Sequence, residues 1–293
     1  MKAVVFGGSG FLGSHVADVL SEKKYKVIVY DSKKSAYLKE SQEMVIGNIL
    51  DEDLVNKTVK DCQVVYNFAG IADIEECVSK PLETVKYNVL GNSVILEAVR
   101  LNEAERYLFA SSSYVYSNYG SFYKSSKQAC ELFIQSYHEK YNLPYTILRY
   151  GSLYGNRADD TNSIHRIIKE ALSTNRIVYH GTGEEIREYI HVRDAAELSV
   201  KALDPEFLNQ KVMLTGVSAM RYKDILEMIK EILGNKINLV FTNKINDTHY
   251  KTTPYNYKKP DLGRKLFNEQ YIELGAGLLE CIEDVAKTID LHK

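Results

Sequence analysis

The chain has 293 residues, a formal net charge of −2 and a pI near 6.4. This length suits one large α/β unit or two lobes better than a string of small modules. The charge balance, without any run of like charges, argues against nucleic acid as a partner. No apolar run approaches the roughly 20 residues that cross a bilayer, and the chain enters a strand at once, so we expect a cytoplasmic protein that does not contact the membrane.

Short β-branched runs alternate with helical patterns through the first 150 residues. The predicted strands are "KAVVF", "KVIVY", "VVYNFA", "RYLFASS" and "YTILRY", and helical patterns such as "FLGSHVADVLSEK" and "SKQACELFIQSYHEKY" lie between them. Strands that alternate with helices form βαβ crossovers and a parallel sheet with helices on both faces. Residues 1–150 therefore predict an α/β domain with a doubly wound parallel sheet.

The regular alternation loosens after Gly151, where shorter strands and helices follow one another less evenly. We expect residues 151–293 to form mainly a smaller lobe over the carboxyl edge of the sheet. The chain is expected to return to the first domain around residues 190–216. The longest irregular segment, residues 244–260, has the composition of a surface loop or a cover for the site.

Neither the cysteines nor the histidines indicate a special site. The four cysteines lack C-x-x-C spacing and a disulfide-dense pattern, so we expect structural thiols at Cys62, Cys77, Cys130 and Cys281. The histidines have no metal-ligand spacing, which predicts that no metal is bound. His191, in "YIHVRD", is interpreted as a structural residue.

The glycine-rich stretch "VVFGGSGFLGSHVADVL" places Gly7, Gly10 and Gly13 between the first strand and the first helix. Glycine is needed where the backbone turns with positive φ and approaches a pyrophosphate, whose charge rests on the N–H groups of the helix start. Asp31 ends the second strand about 20 residues downstream, where an acidic residue binds ribose hydroxyls and repels a 2′-phosphate. The pattern favours NAD over NADP; the alternative is a tight turn with a solvated charge at Asp31.

Tyrosine and lysine four residues apart can form a proton-transfer site, because a nearby ammonium stabilises phenolate and lowers a pKa that is otherwise about 10. The chain contains 22 tyrosines, so chance pairs are expected. The spacing occurs at Tyr30/Lys34, Tyr123/Lys127 and Tyr255/Lys259. The middle pair lies on or just before a predicted helix, which follows the serine-rich end of a strand, "RYLFASSSYVYS", after a short loop. This context distinguishes it from the other two.

The chain resembles the extended short-chain dehydrogenase/reductases of the nucleotide-sugar epimerase/dehydratase type and is similar in plan to UDP-galactose 4-epimerases. The resemblance covers nearly the whole chain and depends on motifs in the family's order: "GGSGFLG", Asp31, "GNILDEDLV", "VVYNFAG", "YNVLGNSVILEAVR", "SSSYVY", "YKSSK", "LRYGSLYG" and "REYIHVRDAA". It implies a Rossmann-type doubly wound sheet at residues 1–150 that binds NAD, and a smaller C-terminal lobe that binds a nucleotide-diphosphate sugar.

The resemblance also implies roles for individual residues. Tyr123 corresponds to the base, and Lys127 to the residue that lowers its pKa and binds the nicotinamide ribose. Counting back from "VY" assigns the serine that binds the reacting sugar hydroxyl to Ser112, with Ser111 and Ser113 as rivals. In these proteins this serine and the tyrosine contact the same substrate oxygen.

Further positions correspond to cofactor and substrate contacts. The positions implied to contact NAD are Gly7, Gly10, Phe11, Leu12, Gly13, Asp31, Asn48, Ile49, Phe68, Ala69, Gly70 and Lys127. Asn48 replaces the aspartate usual at the adenine. Arg187, in "REYIHV", corresponds to an arginine that contacts the diphosphate, a task that suits a bidentate guanidinium. The alternative for Arg187 is a surface ion pair with Glu184, Glu185 or Glu188.

The family shares a first step, oxidation of a sugar hydroxyl to a 4-keto intermediate, and later steps depend on additional groups. The 4,6-dehydratases have an acidic pair after the Ser/Thr, where this chain has Ser113 and Tyr114, so dehydration is disfavoured. Epimerisation at C3 or C5 needs a further acid/base near the serines, and "SSSYVYS" contains neither Cys nor His. Epimerisation at C4 is therefore predicted. The alternatives are an NAD(P)H-dependent 4-ketoreductase, after it a 4,6-dehydratase and, more remotely, a non-catalytic NAD-binding sensor.

Two departures from the family affect the substrate pocket: the loop before Tyr123 is short, and Ser152 replaces a frequent asparagine in "RYGSLYG". The sugar and nucleotide therefore stay open. By analogy, the helices near residues 82–101 and 124–141 are expected to pair into a homodimer interface.

Overall fold

The computed structural model describes residues 1–217, 219–242, 249–255 and 263–290. The strands are β1 (Lys2–Phe6), β2 (Lys26–Asp31), β3 (Gln42–Ile46), β4 (Val64–Asn67), β5 (Arg106–Ser112), β6 (Tyr145–Tyr150), β7 (Ser152–Tyr154), β8 (Arg176–Tyr179), β9 (Ile186–His191), β10 (Gln210–Leu214), β11 (Ala219–Arg221), β12 (Asn238–Phe241) and β13 (Arg264–Lys265). The α-helices are α1 (Phe11–Glu22), α2 (Glu52–Val59), α3 (Ile74–Ser79), α4 (Pro81–Thr84), α5 (Gly91–Leu101), α6 (Ser121–Tyr141), α7 (Ser163–Thr174), α8 (Val192–Lys201), α9 (Tyr222–Ile232) and α10 (Leu274–Asp290). A π-helical segment (Val85–Leu90) joins α4 to α5.

A parallel sheet forms the centre of the first domain. Among the described residues it contains eight strands in the order β13-β10-β6-β5-β4-β1-β2-β3. Val4 in β1, for example, is paired with Ile28 in β2 and Val65 in β4. The predicted α/β fold with a doubly wound parallel sheet is confirmed. The strand order reverses between β1 and β4, and in such sheets ligands bind in the crevice outside the carboxyl ends of the strands at this point.

Helices cover both faces of the sheet with separate apolar layers. One layer includes Val16 and Leu20 of α1 and Leu198 of α8. The other includes Leu96 of α5 and Ile134 of α6. Because both faces are buried, the strands read as continuous apolar runs instead of alternating ones. Strand β10 lies beside β6 in the large sheet. The predicted domain boundary near residue 150 and the predicted return of the chain around residues 190–216 stay predictions.

The C-terminal lobe has its own core. Strands β7, β9 and β11 form a small sheet, β8 pairs with β12, and α7, α9 and α10 pack with them around a third apolar cluster. Within the described ranges no helix combines the length and apolarity needed to cross a bilayer.

All four cysteines are free and buried, in agreement with the expectation of structural thiols. Burial raises the pKa of Cys62 to about 11 and the pKa of Cys130 and Cys281 to about 12, and it also raises the pKa of Cys77. Thiolate is the reactive form of cysteine, so these thiols are unreactive in the folded protein at neutral pH.

Two buried histidines are held in the neutral form. His15 in α1 lies 3.2 Å from the Asn156 carbonyl oxygen through its Nε2 atom, and His191 precedes α8 with 1% of its surface exposed. Burial lowers the pKa of each histidine to about 4, and nearby arginines add to the effect. Burial raises the pKa of the Asp194 carboxyl to about 6, so the folded protein binds this proton more tightly than the unfolded chain does. Asp194 therefore stabilises the folded state as the pH falls, whereas the two histidines destabilise it.

We expect the protein to lose stability between pH 7.5 and pH 5. An unfolded histidine binds a proton near pH 6.5, so the stability that each buried neutral histidine contributes is complete above that pH and declines as the pH falls toward 4. Below pH 6 the protonation of Asp194 stabilises the folded state and offsets part of this loss. The free energy of unfolding should therefore fall by about 2–3 kcal/mol at pH 5. Urea unfolding at the two pH values measures it. His15→Gln, which can still donate to the Asn156 carbonyl, should show a smaller difference; equal pH dependence in both proteins would contradict this account.

Candidate functional site

The glycine-rich loop between β1 and α1 forms a tight cradle. Gly7 has φ +74°, and a Cβ there would lie 2.7 Å from the backbone of Phe68 and Ala69. A Cβ at Gly13 would lie 2.2 Å from the Gly7 carbonyl oxygen. Gly10, the N-cap of α1, has no side chain to occupy the first N–H groups of the helix. These groups are therefore available to an anion such as a pyrophosphate.

Asp31, at the carboxyl end of β2, faces the same loop. Its carboxylate accepts hydrogen bonds from the Ser9 N–H at 3.0 Å and the Lys33 N–H at 3.2 Å. The negative charge is thus fixed by backbone groups at one end of the cradle. This position fits a ribose with free hydroxyls and is unfavourable for a phosphate.

A cleft of 770 Å³ extends from the loop across the ends of β1, β2 and β4. The residues predicted to contact NAD that line it are Gly7, Gly10, Asp31, Asn48, Ile49, Phe68, Ala69 and Gly70. Phe11, Leu12 and Gly13 form the first turn of α1, with Leu12 in the core below the loop. The glycine cradle, the fixed carboxylate and the apolar walls fit NAD.

Ser112, Tyr123 and Lys127 come together at the carboxyl end of β5. Tyr123 and Lys127 lie one turn apart in α6, and the Ser112 side chain is close enough to Tyr123 to lower the pKa of its phenol. Lys127 Nζ lies 5.8 Å from the centre of the Tyr123 ring and donates to the Ala110 carbonyl oxygen at 2.8 Å. The three side chains predicted to be catalytic therefore share one small, buried region.

Burial is the main influence on the pKa values of Tyr123 and Lys127. It raises the pKa of Tyr123 to about 12, although the nearby Ser112 side chain acts in the opposite direction. Burial also lowers the pKa of Lys127. A phenolate at Tyr123 would need further positive charge close by, and an oxidised nicotinamide ring bound there would supply it. The expectation that Lys127 brings the pKa of Tyr123 toward neutrality stays a prediction.

The other two serines point elsewhere. Ser111 is 3% exposed, and its hydroxyl donates to Glu131 Oε1 at 2.5 Å, on the opposite side of β5 from Ser112. Glu131 in turn binds the guanidinium of Arg149 at 2.5 Å. Ser113 is buried at the start of the 3₁₀ turn Ser113–Tyr116. Of the three serines, the structure brings Ser112 to Tyr123, whereas Ser111 donates a hydrogen bond to the Glu131–Arg149 ion pair.

Arg187 lies in β9 and is 7% exposed. Its guanidinium carbon is 4.1 Å from the centre of the Tyr250 ring, and Nη1 donates to the Ile186 carbonyl oxygen. The alternative of a surface ion pair is not observed among the described residues. Glu184 pairs with Lys223 and Arg221, and Glu188 pairs with Lys265.

A Tyr114–His249 pair beside Tyr123 was missed by the sequence analysis. Tyr114 Oη lies 2.7 Å from His249 Nδ1, and the Tyr114 ring meets the Tyr123 ring edge-on with centres 6.2 Å apart. Tyr250 packs against Tyr114 at 4.6 Å between ring centres. His249 and Tyr250 belong to the irregular segment predicted as a cover. Only residues 249–255 of that segment are described, and the rest, including Lys259, lies outside the described residues.

Candidate metal ligands are scattered. In the part of the chain that the structure describes, no three His, Cys, Asp or Glu side chains are grouped as a metal site requires. The expectation of a protein without a metal stays a prediction.

Comparison with known proteins identifies the family. A model described as "NAD dependent epimerase/dehydratase family" matches residues 3–213. The chain is 31% identical over 252 residues to a "Putative UDP-glucose 4-epimerase" of Methanocaldococcus jannaschii. The aligned region covers 79% of this chain and 82% of that protein. It is 26% identical over 290 residues to a "UDP-N-acetyl-alpha-D-glucosaminuronate decarboxylase" of Bacillus cytotoxicus, which covers 89% of each chain.

Solved structures agree with this comparison. The UDP-glucose 4-epimerase of Thermotoga maritima, determined with UDP-glucose, superposes with a TM-score of 0.87 at 25% identity over 99% of this chain and 100% of that chain. The UDP-glucuronic acid 4-epimerase of Bacillus cereus, determined with UDP-glucuronic acid and NAD, shares the fold with a TM-score of 0.86 at 24% identity over 98% of this chain and 100% of that chain. The protein belongs to the NAD-dependent epimerase/dehydratase family and is an NAD-dependent enzyme of the extended short-chain dehydrogenase/reductase type.

Proposed function

We propose that the protein epimerises a nucleotide-diphosphate sugar at C4 through a transient 4-keto intermediate, with Tyr123 as the base. The observation that carries the proposal is the grouping of Ser112, Tyr123 and Lys127 at the carboxyl edge of the sheet, with Lys127 Nζ 5.8 Å from the centre of the Tyr123 ring and Ser112 close enough to lower the pKa of Tyr123. Two side-chain hydroxyls that meet in a buried region can both contact one substrate oxygen. The names of similar proteins, which include UDP-sugar 4-epimerases, support the same reaction.

Tyr123, Ser112 and Lys127 each have a separate role in the proposed reaction. Tyr123 as phenolate accepts the proton of the C4 hydroxyl, while Ser112 holds the same oxygen and Lys127 contributes positive charge. Bound NAD would supply the hydride chemistry at C4, held by the glycine loop and Asp31. Rotation of the keto sugar between the two transfers exposes its other face. Tyr123 then returns the proton to the C4 oxygen, so the net change is inversion at C4.

The sequence alternatives differ in measurable ways. A 4-ketoreductase consumes reduced cofactor in each cycle, whereas an epimerase regenerates NAD and turns over without added cofactor. A 4,6-dehydratase needs an acid and a base that Ser113 and Tyr114 do not supply directly. A non-catalytic sensor would tolerate loss of the Tyr123 hydroxyl.

The proposal is tested with a panel of UDP-, dTDP-, GDP- and CDP-sugars. Compounds that raise the unfolding temperature are incubated with the enzyme, and the products are examined by NMR. Denatured enzyme is also analysed for co-purified NAD. Inversion at C4 without added cofactor is the expected result. A stoichiometric requirement for reduced cofactor, or loss of water from the sugar, would overturn the proposal.

Arg187 is proposed to bind the diphosphate of the substrate. Charge-assisted hydrogen bonds contribute about 1.5–3 kcal/mol, so Arg187→Leu should raise KM by roughly 10- to 100-fold with a smaller effect on kcat. Initial rates at varied substrate concentration measure the change. Arg221→Gln removes an exposed arginine that pairs with Asp224 and is the matched control, expected to keep the original KM. An unchanged KM for Arg187→Leu would contradict the assignment.

We propose that the protein is a homodimer formed through α6 and the helical stretch at residues 81–101. Several apolar side chains on these helices are exposed, among them Leu82 at 83% and Leu132 at 64%. Burial of such a surface drives association. Leu132→Glu should therefore convert a dimer to a monomer in light scattering, whereas Leu208→Glu, at an exposed site away from these helices, should not. A wild-type protein that is monomeric at high concentration would contradict the proposal.

We also propose that the protein is cytoplasmic and binds neither nucleic acid nor membrane. The four free cysteines support a reducing compartment, and the net charge of −2 supports the absence of a polyanionic partner.

A further inference from the structure

Tyr114 and His249 form a second hydrogen-bonded pair beside the proposed base. The Tyr114 ring contacts Tyr123 edge-on on one side and Tyr250 on the other, and its hydroxyl reaches His249 Nδ1 at 2.7 Å. Tyr114 follows Ser112 by two residues, and the Tyr114 N–H donates to the Ser112 hydroxyl at 3.3 Å. The pair therefore flanks the position where Ser112 and Tyr123 would hold the C4 oxygen.

The protonation of the pair follows from its surroundings. Burial raises the pKa of Tyr114 far above its usual range, so this side chain is a neutral phenol. Burial, with Arg187 nearby, lowers the pKa of His249 below its usual value. A neutral phenol and a neutral imidazole share the hydrogen bond with Tyr114 as donor to Nδ1. The histidine proton is thereby assigned to Nε2.

His249 is half-buried, and charged groups surround it. Arg187 and Arg166 oppose its protonation, whereas Glu75 and Asp73 favour it. Part of the His249 side chain is exposed to solvent, while its Nδ1 atom is bound to Tyr114. The pair thus links a partly exposed imidazole to the ring that contacts the proposed base.

A keto group at C4 makes the hydrogens on C3 and C5 acidic, because their removal gives an enolate. We propose that Tyr114 and His249 form a proton relay that exchanges one of these hydrogens with solvent while the sugar is in the keto form. This activity rests on the proposed function and adds to it. It also alters the expectation from "SSSYVYS", because the structure supplies the missing histidine from a distant segment.

The relay moves protons without any oxidant or reductant. Tyr114 Oη accepts the hydrogen from C3 or C5 as its own proton passes to His249 Nδ1. The electron pair of the C–H bond forms the enolate, whose oxygen is held by Ser112 and Tyr123. The imidazolium exchanges with water and returns a proton through Tyr114 to the same carbon. If that proton came from D₂O, the sugar gains one deuterium.

The experiment uses the intact enzyme and a nucleotide sugar that it inverts at C4, incubated in D₂O. Hydride transfer alone places no deuterium on carbon, since the C4 hydrogen is returned. We expect deuterium at C3 or C5, detected by mass spectrometry and located by NMR. The quantity compared is the deuterium gained per C4 inversion, which a purely structural role of the pair would not change.

Tyr114→Phe keeps the ring contacts and removes the hydroxyl, and His249→Asn removes the imidazole. Each should reduce deuterium per inversion by about a hundredfold, the size of a general acid–base contribution. His180→Asn removes an exposed histidine of the substrate lobe and should leave the ratio unchanged.

The outcomes separate this proposal from the proposed function. Inversion at C4 without deuterium on carbon overturns the relay and leaves the epimerase intact. Deuterium that persists at the wild-type ratio in Tyr114→Phe and His249→Asn also overturns the relay. Absence of turnover with every nucleotide sugar overturns both proposals. Deuterium gain that depends on both side chains establishes the relay.

Discussion

Tyr123→Phe should lower kcat by about 10³-fold, within the range observed for loss of a general base. The phenyl ring keeps the edge-on contact with Tyr114, so the fold is expected to be unchanged. In the proposed mechanism, this variant loses the proton acceptor for the C4 hydroxyl and the contact between Ser112 and the Tyr123 hydroxyl. Product formation by NMR under saturating substrate measures the effect.

Tyr255→Phe is the matched control for that experiment. Tyr255 has the same four-residue spacing to a lysine as Tyr123. Its hydroxyl, however, donates to the Glu188 carboxylate. Turnover of this variant should stay close to that of the wild type. A Tyr123→Phe enzyme within about threefold of wild type would exclude Tyr123 as the base, since even a weak general base contributes more.

Glu131→Ala should destabilise the protein by about 3–5 kcal/mol, the usual effect of removing one member of a buried ion pair. Glu131 and Arg149 are almost fully buried, with side-chain exposures of 7% and 2%, and two of the Arg149 nitrogens bind the carboxylate. Removal of the carboxylate leaves the guanidinium without its counter-charge inside the protein. Urea unfolding at neutral pH measures the loss.

Glu139→Ala, an exposed site on the same helix, is the control and should change stability little. The double variant Glu131→Leu/Arg149→Met should recover part of the loss, because a buried ion pair is often replaceable by apolar side chains. Equal stability of Glu131→Ala and Glu139→Ala would show that the pair is not important for the fold.

Local sequence signals predicted much of the fold and part of the site. The glycine loop could be found because its conformational requirements lie within one strand–helix junction. Tyr123 and Lys127 could be paired because they lie one turn apart in a single helix. The choice among Ser111, Ser112 and Ser113 needed the structure, since alternation along β5 separates neighbouring side chains but does not say which side faces α6 and which faces the substrate.

Contacts between distant segments could not be predicted. Tyr114 and His249 are 135 residues apart, and the position of His249 depends on the path of an irregular segment without periodicity. Glu131 and Arg149 lie in elements that were predicted correctly, a helix and an apolar strand. A buried ion pair leaves no periodic signal, however, so its existence depends on how those two elements pack.

The rate at which the buried free cysteines are labelled measures how often the protein around them opens. Ellman's reagent reacts only with exposed thiolate, and Cys62, Cys130 and Cys281 belong to three different parts of the structure: the turn before β4, helix α6 and helix α10. Rates of labelling at each position would therefore rank the regions by how often they unfold locally. A ligand that slows the labelling of all three thiols stabilises the whole fold. A ligand that slows the labelling of one thiol stabilises only the region around that cysteine.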